Sequence, residues 1–129
     1  KKGWKIPLHN GGKIMRSFVH ISDIVEGIHK VMLRGHDGDV YHFSSEPLPI
    51  KNLVEKVCDA VKADFKNSVE FSAARNPDFV YDLNCDKAIK ELSWKPTVSL
   101  GDGIKEVVDW IHDNWVEVVE SPLEYIHKE

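Results

Sequence analysis

Apolar and polar positions change period several times along this chain, and each change marks an element. Residues 13–20 alternate, with Arg16, Phe18 and His20 on one side and Met15, Ser17 and Val19 on the other, the period of a half-buried strand. From Ser22 the period lengthens to that of a helix. Ile24, Val25, Ile28, Val31 and Met32 form a core-facing stripe, Ser22 is its expected cap, Lys30 and Arg34 lie near its carboxyl end and Gly35 closes it. Residues 40–44 read as a short buried strand, expected to run parallel to the first because a helix separates the two. Pro49 suits a first helical position and opens a second stripe, made of Ile50, Leu53, Val54, Val57, Cys58 and Val61.

Further on, residues 69–71 and 79–83 predict short strands flanking a polar turn at 74–78. Asn84 is placed to cap a short helix carrying Ala88, Ile89 and Leu92. Ser99, with Asp102 three residues on, predicts a capped long helix whose buried face is Ile104, Val107, Val108, Ile111 and Trp115. The pattern weakens from Val116, so residues 1–115 are expected to form one domain and residues 116–129 a tail. The fold class expected is a small α/β (or α+β) domain built on a β-α-β-α run, with short strands and a long carboxyl-terminal helix.

A length of 129 residues with 42% hydrophobic content suffices for one core and is too short for two ordinary domains. The formal charge of −4 argues against a nucleic-acid partner, which needs a clustered cationic excess. Apolar runs fall short of the ~20 residues that cross a bilayer, so no membrane partner is expected. Cys58 and Cys85 form no C-x-x-C, and Cys58 lies on an apolar stripe; a buried free thiol in a cytoplasmic protein is the reading. The chain opens at Lys1 without a methionine, the expectation being a piece of a longer polypeptide.

Seven histidines include no His-Glu-x-x-His and no Cys/His cluster. His20 and Asp23 lack a third ligand, so no metal site is expected; His20 reads as structural and Asp23 as an acid complementing the helix dipole. The glycines never fall into G-x-x-G-x-x-G or G-x-G-x-x-G, so no dinucleotide-binding turn is encoded. Tyr41, Tyr81 and Tyr125 are followed four residues later by Ser45, Cys85 and Glu129, which leaves no Tyr-x-x-x-Lys and no catalytic residue to assign.

Three ordered motifs remain: Arg16-Ser-Phe-Val-His20-Ile-Ser-Asp23, then Gly38-Asp-Val-Tyr41, then Glu91-Leu-Ser-Trp94-Lys-Pro96 followed by Ser99-Leu-Gly-Asp-Gly103-Ile. Together they resemble the carboxyl-terminal, substrate-binding part of the extended short-chain dehydrogenase/reductase family, the NAD-dependent sugar-nucleotide epimerases and dehydratases. The likeness runs from about Lys2 to Trp115. It implies a parent enzyme whose amino-terminal Rossmann half, absent from this sequence, binds NAD and carries the Tyr/Lys pair. This part would bind the nucleotide-sugar substrate and by itself hold no cofactor and turn over nothing.

The resemblance implies a set of substrate contacts. Arg16 would bind the diphosphate, a role that suits a planar, permanently charged guanidinium offering paired donors. Arg75, in Arg75-Asn-Pro-Asp78 where relatives have Arg-Pro-Gly-Asp or Arg-Pro-Gly-His, would be a second diphosphate ligand, with Asp78 a weaker match. Lys5-Ile6-Pro7-Leu8-His9 resembles Lys-x-Leu-Pro-Ile-Tyr-Gly, whose backbone and aromatic ring hold the base; His9 takes the tyrosine's place and Asn10 the glycine's. Ile6, Pro7 and His9 complete the candidate set. Trp94 matches the family's Leu-Gly-Trp-x-Pro as a packing anchor, with Ser93 in place of the glycine. Residues 78–82 with Cys85-Asp-Lys87 resemble a hexose 4,6-dehydratase more than a 4-epimerase. The alternatives are a 4-epimerase of the same family and a non-enzymatic α/β interaction module. Loss of the Rossmann half would leave Trp4, Ile6 and Leu8 uncovered and prone to self-association.

Overall fold

The computed structural model describes residues 5–73, 80 and 82–121, an α/β arrangement of short strands and six helices among those residues. Strand β1 (Ile6–His9) pairs in parallel with β4 (Val69–Ser72), so that Leu8 faces Phe71 and His9 faces Ser72 across the ladder. Strand β2 (Met15–Arg16) pairs antiparallel with β3 (Leu48–Pro49), and Met15 also bridges Val80. Helix α1 spans Ile21–Arg34, α2 Ile50–Ala60, α3 Phe65–Ser68, α4 Asp86–Leu92, α5 Leu100–Asp113 and α6 Trp115–Glu120.

Two small cores form. Leu8 of β1 and Val69 of β4 pack on Val54 and Cys58 of α2, with Ile50 and Phe65 at the edge. Ala88 and Leu92 of α4 surround Trp94, with Val19, Val31, Tyr41 and Phe43 packed against them. The Trp94 ring lies 4.7 Å from that of Phe43, and its indole N–H donates to the Asp23 carbonyl at 2.8 Å. A buried indole that has both an aromatic neighbour and an acceptor is the packing anchor read from Leu-Ser-Trp.

Several expectations change. The strand expected over 13–20 is reduced to Met15–Arg16, and residues 40–44 form no strand. In place of a parallel ladder between these segments, the Ser45 hydroxyl accepts from Phe18 N at 3.3 Å and donates to Phe18 O at 2.9 Å. One side chain thereby occupies backbone groups that a neighbouring strand would have used. The parallel pair joins β1 and β4 instead. The N-cap of α1 is His20, not Ser22: its Nδ1 accepts from Ser22 N, and its Nε2 lies 3.4 Å from a Glu106 oxygen on α5. Pro49 is likewise the residue before α2 and not its first. The N-cap of α4 is Cys85, not Asn84, although the Asn84 side chain accepts from Asp86 N at 2.7 Å; Ser99 caps α5 as read, through Asp102 N at 3.1 Å, while its hydroxyl donates to the Asp102 carboxylate.

The helical stripes differ most. On α1 the inward residues are Asp23 and Gly27, whereas Val25, Ile28 and Met32 are 58%, 51% and 78% exposed. Gly27 faces inward because Phe43 takes its space: a Cβ there would sit 2.8 Å from the Phe43 ring. The α5 stripe is not closed over either; Val107 is exposed, and Trp115 begins α6 and is exposed too. Phe18, Leu53, Val57, Val98, Ile104 and Val108 are among the residues lining an open apolar groove of about 420 Å³ between α2 and α5. Of the apolar surface expected around Trp4, Ile6 and Leu8, Ile6 is exposed and Leu8 is buried, and Trp4 lies outside the described residues.

Candidate functional site

Strand alternation sorts the β1 candidates. Leu8 anchors one face in the first core, and Ile6 shares that face; Pro7 and His9 lie on the other, opposite Glu70 and Ser72. Pro7 has no N–H to give and is tolerated because the strand lies at the edge of a two-stranded sheet. His9 is half-buried, and its Nδ1 lies 2.7 Å from the Ser72 hydroxyl.

The chain then turns sharply. Asn10, Gly11 and Gly12 all have positive φ, at 53°, 65° and 69°. Asn10 stands where the family pattern has glycine, and asparagine is among the side chains that best tolerate this region. Gly12 admits no substitute, because a Cβ would meet the Lys51 Cβ at 2.8 Å as the turn passes α2. This turn delivers the chain to β2, where Ile50 N donates to Ile14 O at 2.9 Å and Arg16 pairs with Leu48. Arg16 is half-buried, and its guanidinium donates to the Met15 carbonyl at 2.7 Å.

Arg75 and Asp78 lie outside the described residues, so the geometry joins Ile6, Pro7 and His9 on one strand and Arg16 just beyond the following turn. The α2–α5 groove contains none of these side chains.

Two clusters escaped the motif reading. Asp23, buried at the start of α1, accepts from Thr97 N at 3.0 Å, Thr97 Oγ1 at 2.7 Å and Val98 N at 3.1 Å. Burial raises its pKa, but the bonds from Thr97 and Val98 outweigh that and hold the carboxyl below its ordinary value. Its partners are some seventy residues distant, and no spacing announces them. At the α1–α4 edge, Tyr41 donates to Glu91 at 2.7 Å, a bond that raises the phenol's pKa, and Lys87 pairs with Asp39 at 3.0 Å. His36 completes this exposed network, 3.5 Å from Asp39 and 3.6 Å from Glu91, with Lys87 as its resident cation.

No protein-family profile matches the chain. It is 32% identical over 125 residues to a dTDP-glucose 4,6-dehydratase of Streptomyces niveus, covering 95% of this chain and 37% of that protein. A dTDP-glucose 4,6-dehydratase from Streptomyces venezuelae, solved with NAD and TYD bound, matches with a TM-score of 0.79 at 32% identity. That match covers 89% of this chain and 36% of the other. The chain belongs to the extended short-chain dehydrogenase/reductase family. Another structural relative, the WbmF enzyme of Bordetella bronchiseptica in complex with NAD+ and UDP, matches with a TM-score of 0.73 at 26% identity, over 92% of this chain and 35% of that one. This family member spans a little over a third of the length of these relatives. No helix among its described residues is long and apolar enough to cross a membrane.

Membership also explains Ser93. It terminates α4 with a left-handed φ of 50°, and the Trp94 N–H returns to the Ala88 carbonyl at 3.2 Å. That is the geometry for which the family's Leu-Gly-Trp supplies glycine.

Proposed function

We propose that this chain is the nucleotide-sugar-binding part of an NAD-dependent nucleoside-diphosphate-hexose 4,6-dehydratase. The observation that carries the reading is the parallel β1–β4 pair, which sets His9 beside Ser72. Arg75 follows Ser72 by three residues, and chain connectivity alone keeps their Cα atoms within about 11 Å. The base segment and the second arginine's loop thus start from one ladder, and the short turn after His9 leads to Arg16. His9 and the β1 backbone would meet the base, and the two guanidinium groups the diphosphate. Binding energy from these groups, remote from the reacting carbon, would hold the sugar for chemistry carried out elsewhere in the enzyme.

The residues present do not fit NAD: there is no glycine-rich phosphate turn, and no tyrosine is followed four residues later by lysine. The dinucleotide therefore belongs to an amino-terminal Rossmann counterpart. The uncovered stripe of α1, with Ile21, Val25, Ile28 and Met32 all more than half exposed, offers such a counterpart an apolar face. The dehydratase relatives favour 4,6-dehydration over 4-epimerisation. Calorimetric titration tests the assignment. The chain should bind a dTDP- or UDP-hexose and show no affinity for NAD; micromolar NAD binding without nucleotide-sugar binding would overturn it.

A further inference from the structure

The β1–β4 register places Ser72 directly across the ladder from His9, with 2.7 Å between its hydroxyl and His9 Nδ1. Among the described residues neither side chain has another hydrogen-bond partner. Among the described residues the hydroxyl hydrogen has no acceptor other than Nδ1; if Nδ1 were protonated, that hydrogen would have no acceptor among them in a half-buried pair. A neutral imidazole whose Nδ1 accepts must carry its proton on Nε2, because the bond at one ring nitrogen sets the state of the other.

We propose that Ser72 is a positioning residue that fixes the ring rotation and tautomer of His9, so that the site presents an Nε2–H donor where the family pattern has a tyrosine hydroxyl. The inference rests on His9 meeting the base. It adds a requirement to that reading: the ligand atom at this point must be an acceptor, such as a ring carbonyl, and an exocyclic amine is rejected there. Ser72 itself touches no substrate. It acts by keeping one imidazole in one state, so that no population is lost to the tautomer with the wrong polarity.

Nitrogen-15 NMR of the histidine ring in the intact chain tests the pair directly. The wild type should show His9 with an Nε2-bound proton at neutral pH. Ser72→Ala should give a tautomer mixture, and Ser72→Thr, which keeps the hydroxyl, should restore the single state. Titration with dTDP should show affinity reduced about three- to tenfold in Ser72→Ala and recovered in Ser72→Thr. An Nδ1-bound proton in the wild type, or a tautomer unchanged by Ser72→Ala, overturns the role of Ser72 whatever the ligand result. A tautomer that behaves as stated while His9→Ala leaves dTDP affinity intact overturns the placement of His9 at the base and, with it, the ligand half of the proposal.

Discussion

Asp23 and Thr97 are joined by two hydrogen bonds, from the Thr97 amide at 3.0 Å and its hydroxyl at 2.7 Å, to one carboxylate oxygen buried at the foot of α1. The other oxygen takes the Val98 amide at 3.1 Å, and the Asp23 carbonyl takes the Trp94 indole. One residue thus ties the first long helix to the segment leading into α5. Asp23→Ala strands three donors and should cost about 3 kcal/mol in denaturant unfolding.

The same clasp predicts a dependence on pH. The folded-state pKa of Asp23 lies below its ordinary value of 3.8, so the unfolded chain takes up the proton first as pH falls. Its contribution is fully present above that ordinary value and is lost as pH drops through the folded pKa. Stability measured from neutral pH to pH 3 should decline in the wild type, and Asp23→Asn should remove part of the slope.

Ser93 holds a left-handed φ of 50° at the end of α4, a conformation that costs a residue with a Cβ roughly 1–2 kcal/mol. Glycine avoids that cost at some expense in unfolded-state entropy. Ser93→Gly should therefore stabilise the chain by about 0.5–1 kcal/mol, read as a shift of the denaturation midpoint with unchanged slope.

Gly27 lies against Phe43, which in turn lies against Trp94. An added methyl at Gly27 must displace the Phe43 ring. Gly27→Ala should destabilise by about 1–3 kcal/mol and change the tryptophan fluorescence, whereas Gly101→Ala, whose new Cβ meets only the Ser99 hydroxyl oxygen at 3.9 Å, should leave that fluorescence unchanged.

How far the sequence discloses this architecture differs by element. The Ser99 cap is legible because it acts within three residues of itself, whereas at α4 the cap falls on Cys85, one residue beyond Asn84. The α1 stripe is only partly covered: Val31 packs on the Trp94 core while Val25, Ile28 and Met32 stay exposed, because periodicity identifies an apolar face but not what covers it, and Phe43 lies against Gly27. The parallel strand over 40–44 failed because the Ser45 side chain took the Phe18 backbone groups. His9 enters the candidate set only through the family resemblance, and no local pattern announces its pairing with Ser72, since the two meet through a register set by the folding of the 62 residues between them.

The exposed α1 stripe predicts behaviour in solution. With Val25, Ile28 and Met32 uncovered, the isolated chain should self-associate, and Ile28→Glu or Met32→Lys should shift it toward monomer without loss of helicity. Sedimentation of the wild type as a strict monomer at high concentration would contradict the need for a covering partner.

Binding of dTDP-hexose by the Arg16→Ala and Arg75→Ala variants, measured calorimetrically beside the wild type, tests the central claim most directly. If both guanidinium groups hold one diphosphate, each substitution should weaken binding by about 10- to 100-fold, and lysine should restore only part because it loses the paired donors. Wild-type affinity in both alanine variants, or no affinity in the wild type, would contradict the assignment of this chain as a nucleotide-sugar site.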